Sequence, residues 1–196
     1  MDYMKTLPDN AFNLAIVDPP YGINAGSKTC GKRKKKHEKK DWDSCIPSAD
    51  FFESIMRVSE NQIVWGGNYF PLPLTGGWIF WDKERGKETT FSDGELAWTS
   101  FLNTLKKAPI RYDGFIGMDI DRIHPTQKPV KLYEWLLKNY AKEGDRILDT
   151  HLGSGSSAIA AHYGGFDFVG MGLDEDYYKA ACTRFDRETA QQAMEL

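Results

Sequence analysis

Hydrophobic residues along this chain gather in short blocks, some unbroken and some spaced with a helical period. The block Ala11-Phe12-Asn13-Leu14-Ala15-Ile16-Val17 stops at Asp18-Pro19-Pro20-Tyr21-Gly22, which suits a buried parallel strand ending in a loop. Residues 22–43 are polar, rich in Gly and Lys and without periodicity, so they predict a mobile loop. Ser48 stands where it can cap a helix over 49–58, with Phe51, Phe52, Ile55, Met56 and Val58 on its buried face. Residues 62–65 and 77–82 read as two further buried strands, and 95–100 and 110–112 as weaker ones. Beyond 124–129 the stripe Leu132, Tyr133, Leu136, Leu137, Tyr140 predicts an amphipathic helix with Pro129 in its first turn. A short strand at 146–149, a small-residue helix through 158–161, a strand at 166–171 and a helix from 175 to about 193 complete the pattern. Strands alternating with helices predict an α/β fold with a largely parallel sheet, and without a linker or repeat the chain reads as one domain, 1–196.

Composition narrows the class without choosing a function. The chain has 196 residues, 41% hydrophobic and 27% charged, enough to bury a core without a staple. No apolar run approaches the ~18 residues of a membrane span, and no signal-peptide pattern opens the sequence. Three cysteines, Cys30, Cys45 and Cys182, are too few and too scattered for a disulfide framework, so a reducing cytoplasm is expected. Cys30, His37 and Cys45 match no compact zinc spacing, and no metal is expected.

Charge changes the picture more. The net charge of −3 hides a segment, residues 32–40, that holds seven basic residues and one acidic one. The rest carries 18 basic against 27 acidic residues, a net of −9. A concentrated basic run on an acidic body is either a solvated face or a phosphate contact, and Lys32, Arg33, Lys34, Lys35 and Lys36 are the candidates for that contact.

Two motifs lie where α/β proteins bind ligands, at the C-terminal ends of strands. After the strand ending at Asp149, Gly153-Ser154-Gly155 leads into a helix, so backbone can approach a ligand beside free helical N–H groups. It is neither a full G-x-G-x-x-G, since position 158 is Ala, nor a phosphate-binding P-loop. In Asp18-Pro19-Pro20-Tyr21, two prolines hold the loop extended and set a carboxylate, a carbonyl and an aromatic face side by side. That trio suits a flat base with an exocyclic amine: two acceptors for the amine hydrogens and a ring to stack on.

Together with His124-Pro125-Thr126-Gln127-Lys128-Pro129, and in this order, the motifs resemble those of the permuted β group of DNA amino-methyltransferases. The resemblance runs over residues 11–185 and includes Trp65-Gly66-Gly67-Asn68-Tyr69-Phe70 and Leu96-Ala97-Trp98, a flavour of phage and prophage adenine methylases. It implies a single-domain Rossmann-like methyltransferase fold, a seven-stranded, mostly parallel sheet with helices on both faces. It also implies S-adenosylmethionine over the C-terminal edge of that sheet, and double-stranded DNA as partner. Carried over by position, Asp18 and the Pro19 carbonyl would accept the target amine and Tyr21 would stack on a flipped adenine, with Pro20 fixing the loop. Thr126 and Lys128 would meet the methionine carboxylate of the cofactor. Asp18, Asp149, Leu152, Gly153, Ser154 and Gly155 would surround the cofactor. Asp in the first position of the tetrapeptide points to adenine N6; the alternatives are cytosine N4 and a degenerate, DNA-binding member.

The sequence departs from the family pattern twice. Asp149-Thr150-His151 replaces the usual Asp-Pro-Phe, a change of packing surface. More serious, the strand through Phe168-Val169-Gly170-Met171 is followed by Gly172, where an acidic residue would bind the cofactor's ribose. Loss of such a carboxylate is expected to forfeit roughly 1.5–3 kcal/mol, or one to two decades of affinity, unless Asp174 substitutes. Between Trp98 and His124 lie 25 residues, so 99–123 is a reduced target-recognition region. Loop-based or relaxed recognition, or a second subunit in a homodimer, is the expected consequence.

Overall fold

The computed structural model of the chain describes residues 1–24, 43–85, 92–112 and 122–192. Its centre is β1 (Phe12–Val17), the predicted apolar run, which pairs in parallel with β2 (Ser59–Trp65) on one side and β6 (Arg146–Asp149) on the other. Beyond β6 lies β7 (Asp167–Gly170), also parallel. Beyond β2 lies β4 (Gly94–Thr99), antiparallel to both β2 and β3 (Trp78–Asp82), and β5 (Lys106–Pro109) closes that edge parallel to β3. The seven strands run in the order β5-β3-β4-β2-β1-β6-β7. The expected seven-stranded, mostly parallel sheet is therefore present, with β4 as the strand that runs against its neighbours.

Both faces of the sheet are apolar, and alternation along the strands sorts side chains between them. Leu14, Ile16, Ile63, Trp65 and Ile147 pack on one face beneath α3 (Val130–Tyr140) and α4 (Ser156–Tyr163). Ala15, Val17, Val64 and Leu148 pack on the other beneath α1 (Asp2–Thr6) and α2 (Ala49–Val58). The helix α5 (Glu175–Gln192) lies against α4. The short α1 carries no periodic stripe, only Met4 buried, and the sequence pattern does not reveal it.

Three expectations need correction. Residues 110–112 are not a strand; the edge strand is four residues earlier, at Lys106–Pro109. Edge strands need only one partner, and here only Ala108 is buried, so β5 has no apolar pattern to announce it. Tyr112 is apolar-looking for a different reason: its ring packs on Trp81 and its hydroxyl donates to the Gln127 carbonyl at 2.9 Å. Pro129 is the residue before α3 rather than within its first turn, and Met56 is only half-buried.

Candidate active site

The C-terminal edge of the sheet brings together the motifs that are far apart in sequence. Val17 ends β1, so Asp18 emerges at that edge; β6 ends at Asp149 and delivers the turn into α4. Between them opens a cleft of about 910 Å3, counted out to solvent. Asp18, Pro20, Thr126, Lys128, Leu152, Gly153 and Ser154 all border it. Pro19, Tyr21, Asp149 and Gly155 do not.

Asp149 instead builds the turn. It is buried, accepts the Ser157 hydroxyl at 2.6 Å and the His151 N–H at 2.9 Å, and its carbonyl accepts the Met171 N–H at 2.8 Å. Burial lifts its carboxyl to about 7, against the pull of those two hydrogen bonds. Burial likewise lowers the neighbouring His151 to about 4, helped by the positive chain terminus. Gly155 has a left-handed backbone (φ 77°), and a β-carbon there would meet Ala181 of α5 at 3.3 Å. Arg184 of α5 is buried and donates to the Ser154 carbonyl at 3.0 Å and the Ser156 hydroxyl at 2.9 Å. The Ser156 hydroxyl in turn donates to the Lys128 carbonyl at 2.7 Å. The glycine turn and the Lys128 segment are thus tied to each other and to α5.

The chemistry concentrates on Asp18. Its Oδ1 accepts the Tyr21 hydroxyl at 2.8 Å, and its Oδ2 accepts the Lys128 ammonium at 2.6 Å. Lys128 also donates to Glu95 Oε2 at 3.1 Å and to the Tyr21 oxygen at 3.3 Å, and it lies 5.3 Å over the Trp65 ring. Glu95 completes the set by accepting Lys83 at 2.6 Å. The four charged side chains are 18% (Asp18), 5% (Lys128), 26% (Glu95) and 10% (Lys83) exposed, so they screen one another more than water does. Burial would raise Glu95, but Lys128 and Lys83 outweigh it and hold the carboxyl down to about 2. Burial would lower Lys128, but Asp18 and Glu95 outweigh it and raise its pKa, so the ammonium stays charged. Burial, then the charge of Asp18, pushes the Tyr21 hydroxyl well above its usual value and keeps it a neutral donor.

Tyr21 is stacked on Tyr69, with ring centroids 5.1 Å apart and 12° between planes, and Phe70 meets its edge at 6.1 Å. Gly66, with φ 67°, lets the backbone pass close to the Tyr21 ring, where any β-carbon would collide. Lys128, expected near the cofactor's carboxylate, is thus engaged by Asp18 and Glu95, while Thr126 remains exposed at the cleft with its hydroxyl 3.1 Å from His124 Nδ1. Lys32 to Lys36 lie outside the described residues, as do 113–121 of the proposed recognition region. Among the described residues no cluster of three metal-ligating side chains is present, and no helix is long and apolar enough to cross a membrane.

At the far end of the cleft stand Gly172, Leu173, Asp174, Tyr177 and Tyr178. Asp174 does not simply replace a carboxylate at 172: its Oδ1 accepts the N–H groups of Asp176 and Tyr177 at 3.1 and 3.0 Å, capping α5. Sequence reasoning missed Glu95, Lys83 and Tyr69. The only signal for the first two was a charge at the end of an otherwise apolar strand block.

The model of a DNA methylase family matches residues 73–183. The Type II methyltransferase M2.DpnII of Streptococcus pneumoniae is 42% identical over 95% of this chain and 87% of its own length. M2.LlaDCHI of Lactococcus lactis is 31% identical over 94% of this chain and 86% of its own. Among solved structures, the M1.HpyAVI–SAM complex superposes with a TM-score of 0.58 at 16% identity, covering 93% of this chain and 91% of that one. The cytosine-N4-specific PvuII DNA methyltransferase also gives 0.58, at 15% identity over 93% and 82%. At such identities these two establish a shared fold.

Proposed function

The chain belongs to the N6/N4 DNA methylase family, and from that premise we propose that it methylates the N6 amine of adenine in DNA, with S-adenosylmethionine as donor. What carries the reading is the Asp18-Pro19-Pro20-Tyr21 loop, whose Asp18 and Pro20 border the cleft and whose carboxylate accepts Tyr21 and Lys128. The cleft is bordered by the glycine turn and lies at the C-terminal edge of the sheet, so its lining fits such a donor, except at Gly172. The donor's sulfonium supplies an electrophilic methyl group.

In this reading the residues of the chain prepare the nucleophile. An aromatic amine attacks poorly because its lone pair is delocalised into the ring. Asp18 and the Pro19 carbonyl accept the two amine hydrogens, which favours a tetrahedral nitrogen with its lone pair aimed into the cleft. Tyr21 offers a ring to the flipped base once Tyr69, 46% exposed and now stacked on it, moves aside. Thr126, Leu152, Gly153 and Ser154 border the donor, and Asp149 and Gly155 shape their turn. Residues 1–196 form one catalytic domain in this reading, with 99–123 as a reduced recognition region and a second subunit as one source of further DNA contacts. Residues Lys32, Arg33, Lys34, Lys35 and Lys36 contact phosphates.

Mass spectrometry of nucleosides from DNA treated with the protein and labelled donor tests the reading. N6-methyladenine, lost in Asp18→Ala, is expected. N4-methylcytosine would reassign the base, and no transferred methyl group from the folded chain would overturn catalysis.

A further inference from the structure

Glu95 and Lys83 have no part in the mechanism above, yet both are built into the charge cluster behind Asp18. An ammonium has three N–H donors, and Lys128 directs them at three oxygens: Asp18 at 2.6 Å, Glu95 at 3.1 Å and Tyr21 at 3.3 Å. With its side chain 5% exposed, Lys128 cannot turn to water; it must keep a carboxylate at all times. While Asp18 is its shortest contact, a neutral amine competes for that carboxylate against a full positive charge. The second carboxylate offers a way out. A small movement of Nζ toward Glu95 keeps the ammonium paired and frees Asp18. Lys83 anchors the other oxygen of Glu95 at 2.6 Å, so that carboxylate is held where Lys128 can find it. Two acids and two bases sum to zero, so the exchange leaves the cluster neutral.

We propose that Glu95 is a positioning residue for methyl transfer, taking over Lys128 as Asp18 accepts the target amine, with Lys83 holding Glu95 in place. The inference rests on the amine-methylation reading above. The groups facing Lys128 are Asp18 and Tyr21 after β1, Glu95 on β4 and Asp149 at the end of β6. Glu95 does not border the cleft, so its charge can be removed without touching the lining.

The test compares wild type, Glu95→Gln, Lys83→Met and the double variant in methyl transfer to DNA, with cofactor binding by calorimetry and kcat followed against pH. Expected for Glu95→Gln are an unchanged cofactor affinity and a kcat lowered about tenfold or more. The alkaline limb of its pH profile should move to lower pH, because Lys128 has lost one of two carboxylates. Lys83→Met should have a smaller effect and add nothing in the Glu95→Gln background, since it acts through Glu95. A Glu95→Gln protein with wild-type kcat overturns the proposal, and so does one that is merely less stable with the wild-type pH profile. Should Glu95→Gln fail to fold, Lys83→Met decides: wild-type kcat and pH profile overturn the proposal. A wild-type chain that methylates no DNA overturns the functional reading, and this one with it.

Discussion

The Asp18 carboxylate accepts one hydroxyl and one ammonium, and each of these donors is itself fixed by burial rather than by water. That environment keeps Asp18 supplied with charge-stabilising partners at the edge of the cleft. The opposite end of the cleft is less well equipped. Gly172 borders it, and a β-carbon there would meet only Tyr178, at an ordinary 3.5 Å. A β-carbon is therefore accommodated there, while Asp174 is already drawn into capping α5. Gly172→Glu is expected to tighten S-adenosylmethionine binding by one to two decades, roughly 1.5–3 kcal/mol, as measured by calorimetry. An unchanged affinity would mean that the ribose is held without a carboxylate at this position. At this scale the Asp18-Pro19-Pro20-Tyr21 and Gly153-Ser154-Gly155 strings stand out in the sequence as candidates, because each is a contiguous run of backbone-restricting or backbone-freeing residues after an apolar strand. Glu95 does not, because nothing within five residues of it distinguishes a site carboxylate from a strand end facing solvent.

Secondary structure followed the sequence wherever an element buries a full face. The stripes of α2 and α3 and the apolar runs of β1, β2 and β6 left little choice. Where burial is partial, the pattern failed: β5 shows one buried side chain, and α1 likewise. Strand direction was equally illegible. Because β4 runs antiparallel, its first residues lie at the same edge as the last residues of β1 and β2, and so Glu95 reaches Lys128. A parallel β4 would have carried Glu95 to the opposite edge. The element that secures the glycine turn is α5, through Arg184. Arg184→Met is expected to cost about 2–3 kcal/mol in urea unfolding, the scale of charged hydrogen bonds. The folded variant should also bind cofactor several-fold more weakly, because the Ser154–Ser156 turn loses its brace. If affinity is retained, the Asp149 and Ser156 hydrogen bonds hold the turn without Arg184.

For the whole molecule, the distribution of charge matters more than its sum. A body of net −9 repels DNA, and on the proposed reading the seven basic residues of 32–40, close in sequence to Asp18, offset that repulsion. Replacing Lys34, Lys35 and Lys36 by Ala is expected to reduce the dependence of log affinity on log salt by up to about 0.9 for each phosphate no longer neutralised. Fluorescence anisotropy over a salt series reads that slope, and an unaltered slope would place the phosphate-binding residues elsewhere. The amino-acid sequence by itself determined the α/β class, the apolar strands and helices, and the motifs whose residue types are locally constrained by turn geometry and charge. Only the tertiary structure decided which of those residues meet: Lys128, 110 residues from Asp18, closes on it at 2.6 Å, and Glu95 joins them through an antiparallel strand. The physical reason is that periodicity encodes burial along one element. The direction of a strand and its neighbours in the sheet follow from packing the elements together, and no single segment carries that information.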